Sequence, residues 1–342
     1  MSQSKEQTAL KPILERLLGD QRLIIADAGA AYGLPAHLQL LAPVSLLCLF
    51  EPHPTRAEEL RQLLGVDARV FQTALSRQGG ERTLYVTNVP TGSSLLRPGS
   101  DAALRLTEQA YFFPVEEQRV HTRRLEDVLD EGGIPRLDFL KADVQGAELE
   151  ILQGLGASRG RTLLGAELEV GFPGGYIGQP GFGDIDQFLR DLGLELLDVR
   201  LARIHRFVSG SYRYLSENVF GVHADSASLS KRVWEADVLY CVKPTTLLES
   251  GDALGVRRLA VLYCAYGFYT EAYHLFDQAG QAALFPSGEA TRLKDDVIRL
   301  HRRARFSVFQ SVMWQRLTNP FRRLGVRVRN KLCGPQVGKW QE

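Results

Sequence analysis

Two short stretches carry residue types that can hold a charged, hydroxyl-bearing ligand. The first, Asp27-Ala-Gly29-Ala-Ala31-Tyr-Gly33, follows the apolar tetrad Leu23-Ile-Ile-Ala26. Small residues let a backbone approach a ligand closely, and the start of the following helix offers unpaired amide donors. The spacing is Asp-x-Gly-x-Ala-x-Gly, not the Gly-x-Gly-x-x-Gly of nicotinamide enzymes. An acid heading the loop would repel a pyrophosphate but would receive an ammonium group. The second stretch, Phe50-Glu51-Pro52, ends another apolar run with a carboxylate that can accept both hydroxyls of a ribose. A tight turn and an exposed strand-end acid are the plain alternatives. Taken together, the two describe a nucleoside bearing an amino acid, and S-adenosylmethionine is the candidate that fits.

These loops need elements to hold them. Leu23 to Ala26, Ser45 to Phe50 and Ala68 to Ala74 are short apolar runs separated by helix-like segments at Gly33 to Leu41 and Thr55 to Leu64. Runs of this kind point to a parallel sheet covered on both faces. The alternation lapses after Thr83 to Thr87, and residues 88–120, rich in Gly, Ser and Pro, are expected to form a long insertion or lid. Thr122 can cap a helix carrying Leu125, Val128 and Leu129. Leu137 to Ala142 and Thr162 to Val170 are strands four and five, with helices at Ala147 to Leu155 and Ile185 to Leu192. Leu194 to Leu201 and Glu217 to Val222 are expected to close the sheet as an antiparallel pair. The fold class is α/β, with one domain over 1–224. From about Ser226 apolar residues recur at helical spacing, so 225–342 is expected to be an α-helical extension. Within it, Arg258 to Gly267 and Thr270 to Ala279 form one tetratricopeptide-like hairpin.

Composition narrows the partners. The 342 residues carry 41 basic and 40 acidic side chains, so overall charge names none. The charge is unevenly placed: Thr291 to Glu342 holds thirteen Lys or Arg against three acids, and the preceding residues hold twenty-eight against thirty-seven. A basic, aromatic tail suits either an anionic membrane surface or the protein's own acidic body. Cys48, Cys241, Cys264 and Cys333 are far apart and form no CxxC pair, which excludes a zinc ribbon and fits a reducing compartment. The first residues lack the apolar core of a signal peptide. The apolar stretch Leu34 to Phe50 contains two prolines, His37 and Gln39 and is no membrane span. A cytoplasmic protein is expected, with the tail packing on the acidic body as the favoured reading and peripheral contact at the inner face of a membrane as the alternative.

The loop Asp27 to Gly33 and Phe50-Glu51-Pro52 resemble those of the FkbM-type methyltransferases. So do Ala74-Leu75-Ser76, Leu125-Glu126-Asp127 and the block Asp138-Phe-Leu-Lys141-Ala-Asp143-Val-Gln145-Gly146-Ala-Glu148. The resemblance covers about residues 20–224. It implies a seven-stranded, mostly parallel, Rossmann-like sheet of the class I methyltransferase type. The implied reaction is methyl transfer from S-adenosylmethionine to a hydroxyl of a sugar, glycan or glycosylated natural product. By position, Asp27, Gly29, Ala31 and Gly33 would cradle the methionine portion. Glu51 would hold the ribose, and Ala74 to Ser76 would flank the adenine. Family members usually have Asn where this chain has Ala31 and Glu where it has Gln145. Those departures keep open a second reading, a catalytically silent scaffold that binds a partner through its helical tail.

Methyl transfer to a hydroxyl is an in-line displacement, so the protein must align the acceptor and remove its proton. Asp143, after strand four, is the first candidate for acceptor binding, for the base and for a cofactor contact; a helix N-cap is its alternative role. Lys141 and Glu169 complete the catalytic candidates. Lys141 alternates with Leu140 and Ala142, so it faces either a salt bridge or the site. Glu167 and Glu169 share one face of strand five, with Glu169 nearer its end. Glu148, in a first helical turn, favours the helix dipole without catalytic duty. His121 and His205 are reserve bases, and Ser93 and Ser94 are insertion residues within reach of cofactor or acceptor by family analogy. Two scattered acids do not specify a metal site, and none is expected. No nucleic-acid partner is expected either, because Lys141-Ala-Asp143-Val lacks the Asn/Asp-Pro-Pro-aromatic signature and a stacking platform for a flipped base.

Overall fold

Residues 23–26 and 47–50 are short apolar runs that form strands with both faces covered. The computed structural model describes residues 3–19, 21–30, 33–64, 68–88, 90–99, 114–172, 175–204, 215–221 and 232–303. The central sheet holds β1 (Leu23–Ala28), β2 (Ser45–Phe50), β3 (Ala68–Phe71), β7 (Phe139–Ala142), β8 (Gly165–Gly171), β9 (Leu194–Ile204) and β10 (Arg232–Val242). Their order is β3-β2-β1-β7-β8-β10-β9. β10 runs antiparallel between β8 and β9, and β3, β2, β1, β7 and β8 are parallel neighbours. The expected α/β class, with a mostly parallel sheet and helices toward the C-terminus, is what the chain forms.

Alternate residues of each strand serve opposite faces. Leu23 and Ile25, with Leu47 and Leu49, pack against α1 (Gln3–Leu18), α9 (Ala253–Ala265), α10 (Tyr269–Gln281) and the helical residues 289–303. Ile24, Ala26, Cys48 and Phe50 face the other layer, which includes α4 (Leu125–Glu131), α5 (Glu148–Gln153) and α7 (Phe182–Asp191). The remaining short helices are α2 (Ala36–Gln39), α3 (Pro54–Leu64), α6 (Ala157–Gly160) and α8 (Pro244–Glu249). The helices expected over 258–279 are present, and they share one apolar core with α1 and the sheet. Arg257 donates to the carbonyls of Arg16 and Leu17 at the end of α1, at 3.1 and 2.9 Å. Arg16 pairs with Asp296 at 2.8 Å.

Four expectations need correction. The closing strand is Arg232–Val242, beyond the 1–224 boundary, while Leu215–Val219 within the expected last strand form one π-helical turn. Glu235 and Asp237 interrupt the apolar pattern of β10, which hides it from a hydropathy reading. The third run divides, with Ala68–Phe71 in the central sheet and β4 (Ala74–Leu75) in a second, three-stranded sheet ordered β4-β6-β5. That sheet contains β5 (Gly80–Thr87) and β6 (Pro114–Arg123), so the end of the supposed insertion is strand. Thr122 lies in β6 and caps no helix; its Oγ1 donates to Gly80 O at 2.9 Å, and Arg124 occupies the N-cap of α4 without a side-chain bond. Residues 100–113 of the insertion and the basic tail from 304 onward, Cys333 included, lie outside the described residues. Cys48, Cys241 and Cys264 are buried free thiols. Among the described residues no helix is long and apolar enough to cross a membrane.

Candidate functional site

The loops after β1, β2 and β7 converge with Glu169 of β8 and with Trp234 and Glu235 of β10 on a cleft of about 810 Å³ at the carboxyl edge of the sheet. The loop after β1 packs directly on the one after β7. Gly29 has φ +85°, and a Cβ built there would stand 2.0 Å from the backbone oxygen of Asp143, so no side chain fits. Asp27, one step inside, is fully buried, and neither carboxylate oxygen has a hydrogen-bond partner among the described residues. Lys141 Nζ stands 3.5 Å from Asp27 and 3.7 Å from Asp143, an ion-pair contact without hydrogen-bond geometry. Burial pushes the Asp27 carboxyl up to about 6, against the pull of Lys141. Burial works to lower the Lys141 ammonium, but Asp27, Asp143 and Glu167 together hold it above its ordinary value. Glu51 lines the cleft at 6% exposure, accepts His53 N at 2.7 Å and is raised by burial. Thr73, Ala74 and Leu75 also line the cleft.

The block after β7 is held by unusual backbone. Gln145 has φ +60° and Gly146 φ +100°, two successive left-handed residues of which only the second is glycine. A non-glycine residue there is uncommon and held by its surroundings. Oε1 of the buried Glu148 accepts both Val144 N and Gly146 N at 3.0 Å, so this carboxyl fastens the loop that carries Asp143 and Gln145. Burial raises Glu148 to about 7, and those backbone bonds oppose the rise. The Gln145 amide donates to Asp143 Oδ1 at 3.1 Å and Glu169 Oε1 at 2.7 Å, and accepts from the Tyr176 hydroxyl at 3.0 Å.

Acids gather on the β8–β10 side. Glu169 is pushed up to about 9 by burial and by Asp143, Glu235, Glu148 and Asp237. Glu235 and Asp237 on β10 are themselves raised, chiefly by burial. Trp234 and Glu235 line the cleft, and sequence reasoning missed both because their strand was not recognised. Glu167, two residues before Glu169, is committed elsewhere. It bonds His37 at 2.8 Å, Arg200 at 3.0 Å and the Tyr266 hydroxyl, and these partners outweigh burial and hold it below its ordinary value.

Of the sequence candidates, Gly29, Glu51, Ala74, Asp143 and Glu169 meet at the cleft, with Asp27 and Lys141 directly beneath. Ser93 and Ser94 line it too, and Ser94 Oγ donates to Gln145 O at 2.8 Å. Ser76 does not line it: its hydroxyl donates to Thr122 Oγ1 at 2.8 Å, inside the protein. Gly33, at φ +78°, ends the first loop away from the lining, and Ala31 lies outside the described residues. His121 is on β6 and pairs with Glu81 at 3.1 Å, and His205 lies outside the described residues. Among the described residues no three His, Cys, Asp or Glu side chains are arranged to hold a metal.

Comparison with known proteins places the chain among methyltransferases. Residues 27–196 match the model of the methyltransferase FkbM domain. Methyltransferase sdnD of Sordaria araneosa is 30% identical over 196 residues, covering 50% of this chain and 73% of that protein. The 2-O-methyltransferase NoeI of Sinorhizobium fredii (strain NBRC 101917 / NGR234) is 31% identical over 142 residues, 38% of this chain and 56% of its own length. Among solved structures, magnesium protoporphyrin IX methyltransferase (ChlM) from Synechocystis PCC 6803 with bound SAM is similar. Its TM-score is 0.31 at 11% identity, over 69% of this chain and 79% of that one.

Proposed function

The chain belongs to the FkbM methyltransferases, and from that premise we propose that it methylates a hydroxyl of a sugar, glycan or glycosylated natural product. Its methyl donor is S-adenosylmethionine, which supplies an electrophilic methyl on a sulfonium. Three observations support a fit to that cofactor. The Asp27 carboxylate is buried without a hydrogen-bond partner and suits an ammonium group. Gly29 lines the cleft at the turn of the first loop, where its backbone is open to a ligand. Glu51 lines the cleft at the end of β2, where ribose hydroxyls can donate to it. Ala74, with Leu75, offers an apolar wall for the adenine, while Ser76 is not assigned to the cofactor because its hydroxyl is already engaged.

The observation that carries the acceptor class is the group Asp143, Glu169, Glu235 and Trp234 on the β7–β10 side of the cleft. Carboxyl groups accept hydrogen bonds from hydroxyls, and an indole packs against the apolar face of a sugar ring. Those of the group that are ionised would repel the phosphates of a nucleic acid. The name of the 2-O-methyltransferase relative points the same way. In this reading Asp143 receives the acceptor hydroxyl and takes its proton. Glu169, raised to about 9, keeps its own proton at neutral pH and donates a hydrogen bond instead of acting as base. Lys141 balances the carboxylates of Asp27 and Asp143 beneath the reacting atoms.

Calorimetric titration of S-adenosylmethionine, followed by a saccharide screen with methyl-labelled donor, tests the proposal. Glu51→Ala is expected to weaken cofactor binding by roughly tenfold or more, the loss of charge-assisted hydrogen bonds worth about 1.5–3 kcal/mol. Asp143→Asn should bind the cofactor within about threefold of wild type yet lose roughly 10²–10⁴-fold in kcat, the range of general-base catalysis. Cofactor binding without transfer to any saccharide hydroxyl would overturn the acceptor class.

A further inference from the structure

We infer that Gln145 is the positioning residue of the acceptor side, its amide fixing the Asp143 and Glu169 carboxyls through one hydrogen each while Tyr176 fixes the amide. The inference rests on the reading of Asp143 as the group that receives the acceptor.

The bonds account for every polar atom of the side chain. An amide carries two hydrogens and one oxygen. One hydrogen goes to Asp143 Oδ1 at 3.1 Å and the other to Glu169 Oε1 at 2.7 Å. The oxygen lies 3.0 Å from the Tyr176 hydroxyl, whose single hydrogen it shares with Gly92 O at 2.8 Å. With its oxygen facing a hydroxyl and its nitrogen facing two carboxyls, the amide has one satisfactory orientation. The backbone is specialised for this placement, because φ +60° at Gln145 is the turn that swings its side chain onto β8. Tyr176 is seated by its own neighbours. Gln179 Oε1 accepts Gly175 N at 2.9 Å, and a Cβ on Gly146 would stand 3.3 Å from the Tyr176 ring. The segment carrying Tyr176 is joined to the 90–99 segment by Gly99 N to Gly175 O at 2.9 Å and Ile177 N to Arg97 O at 2.8 Å. The amide therefore ties the roof of the cleft to its two central carboxyls.

A carboxylate at 145 could not do this. Ionised, it has no hydrogen to donate and adds a like charge; protonated, it has one hydrogen for two acceptors. The Asp143 carboxyl is faced by Lys141 from β7, Asp27 from β1, Glu169 from β8, Glu235 and Asp237 from β10 and Glu148 from α5. Gln145 is the amide donor within that group.

The test is a ¹³C NMR titration of the Asp and Glu carboxyl carbons in the full chain. Asp143 and Glu169 are assigned from Asp143→Asn and Glu169→Gln. Gln145→Gly relieves the left-handed backbone and so folds, but removes both donors; Gln145→Glu replaces them with a like charge. The Glu169 carboxyl, which accepts the shorter of the two bonds, is expected to titrate higher than wild type by about half a unit or more in Gln145→Gly and further in Gln145→Glu. An unmoved Glu169 in both variants, or a shift in Gln145→Glu alone, overturns the inference. On an accepted saccharide, Gln145→Gly should lower kcat about tenfold or more with cofactor affinity unchanged, and an unchanged kcat overturns it as well. A wild type that methylates no saccharide would refute the proposed acceptor while leaving the titration to decide the amide's role.

Discussion

Gly29 shows how a single atom can hold a site together. Its missing Cβ lets the loop after β1 lie against the Asp143 carbonyl, and its φ of +85° is open to few other residues. Gly29→Ala must move one loop or the other. We expect it to cost about 2 kcal/mol or more, from overpacking and an unfavourable φ together, and to abolish cofactor binding. Urea unfolding with a parallel calorimetric titration checks both. A stable variant with intact binding would show that the two loops are not packed as described. Glu167 and Glu169 carry the same lesson in electrostatic form. They occupy one face of one strand, yet cationic and hydroxyl donors hold the first below its ordinary value and burial among acids drives the second above it.

The element that presents the chemistry is the turn between β7 and α5, and Glu148 is its fastening. Both backbone donors, Val144 N and Gly146 N, reach the same oxygen, Oε1. A carboxamide oxygen can accept the same two bonds, whereas an alkyl side chain leaves two buried donors unpaired. Glu148→Gln is therefore expected to stay within about 1 kcal/mol of wild type, and Glu148→Leu to lose about 2–4 kcal/mol. Denaturant unfolding of the pair measures this, and equal losses in both would mean that the negative charge matters more than the acceptor atom. Helix-dipole stabilisation, the role expected for a first-turn acid, is the smaller part of what this residue does.

Among the described residues six carboxyls sit where burial resists their ionisation; they include Asp27 at about 6, Glu148 at about 7 and Glu169 at about 9. Each binds its proton more tightly folded than unfolded. Their contribution to stability is complete below their unfolded values, near 4, and is lost as pH rises through those three values. Glu167 and Asp296, held low by their donors, act oppositely and lose their contribution as pH falls through about 4 and below. Stability should therefore peak near pH 5 and decline toward pH 9, with Glu169→Gln flattening the upper part of the decline. Urea midpoints at pH 5, 7 and 9 decide it, and a midpoint that climbs with pH would contradict the burial of these groups. The C-terminal helices are also a whole-molecule matter. They share a core with α1 and with β1 and β2, so they complete one covered face of the sheet.

Local patterns sufficed for the elements whose environment is uniform. Residues 23–26 and 47–50 are buried on both faces and spell strands in apolar residues alone. The glycine loop and Glu51 follow them directly in the chain, so their place at the strand ends was legible too. Tertiary structure decided the rest, because it depends on neighbours distant in sequence. β10 is a strand with acids on it, legible only once β8 and β9 flank it on both sides. Ser76 reads as a cofactor contact until Thr122 claims its hydroxyl. Gln145 reads as a lost charge until Tyr176, Asp143 and Glu169 surround its amide. Periodicity records which residues leave water; which polar groups meet once they have left is settled by the packing of strands and loops far apart in the chain.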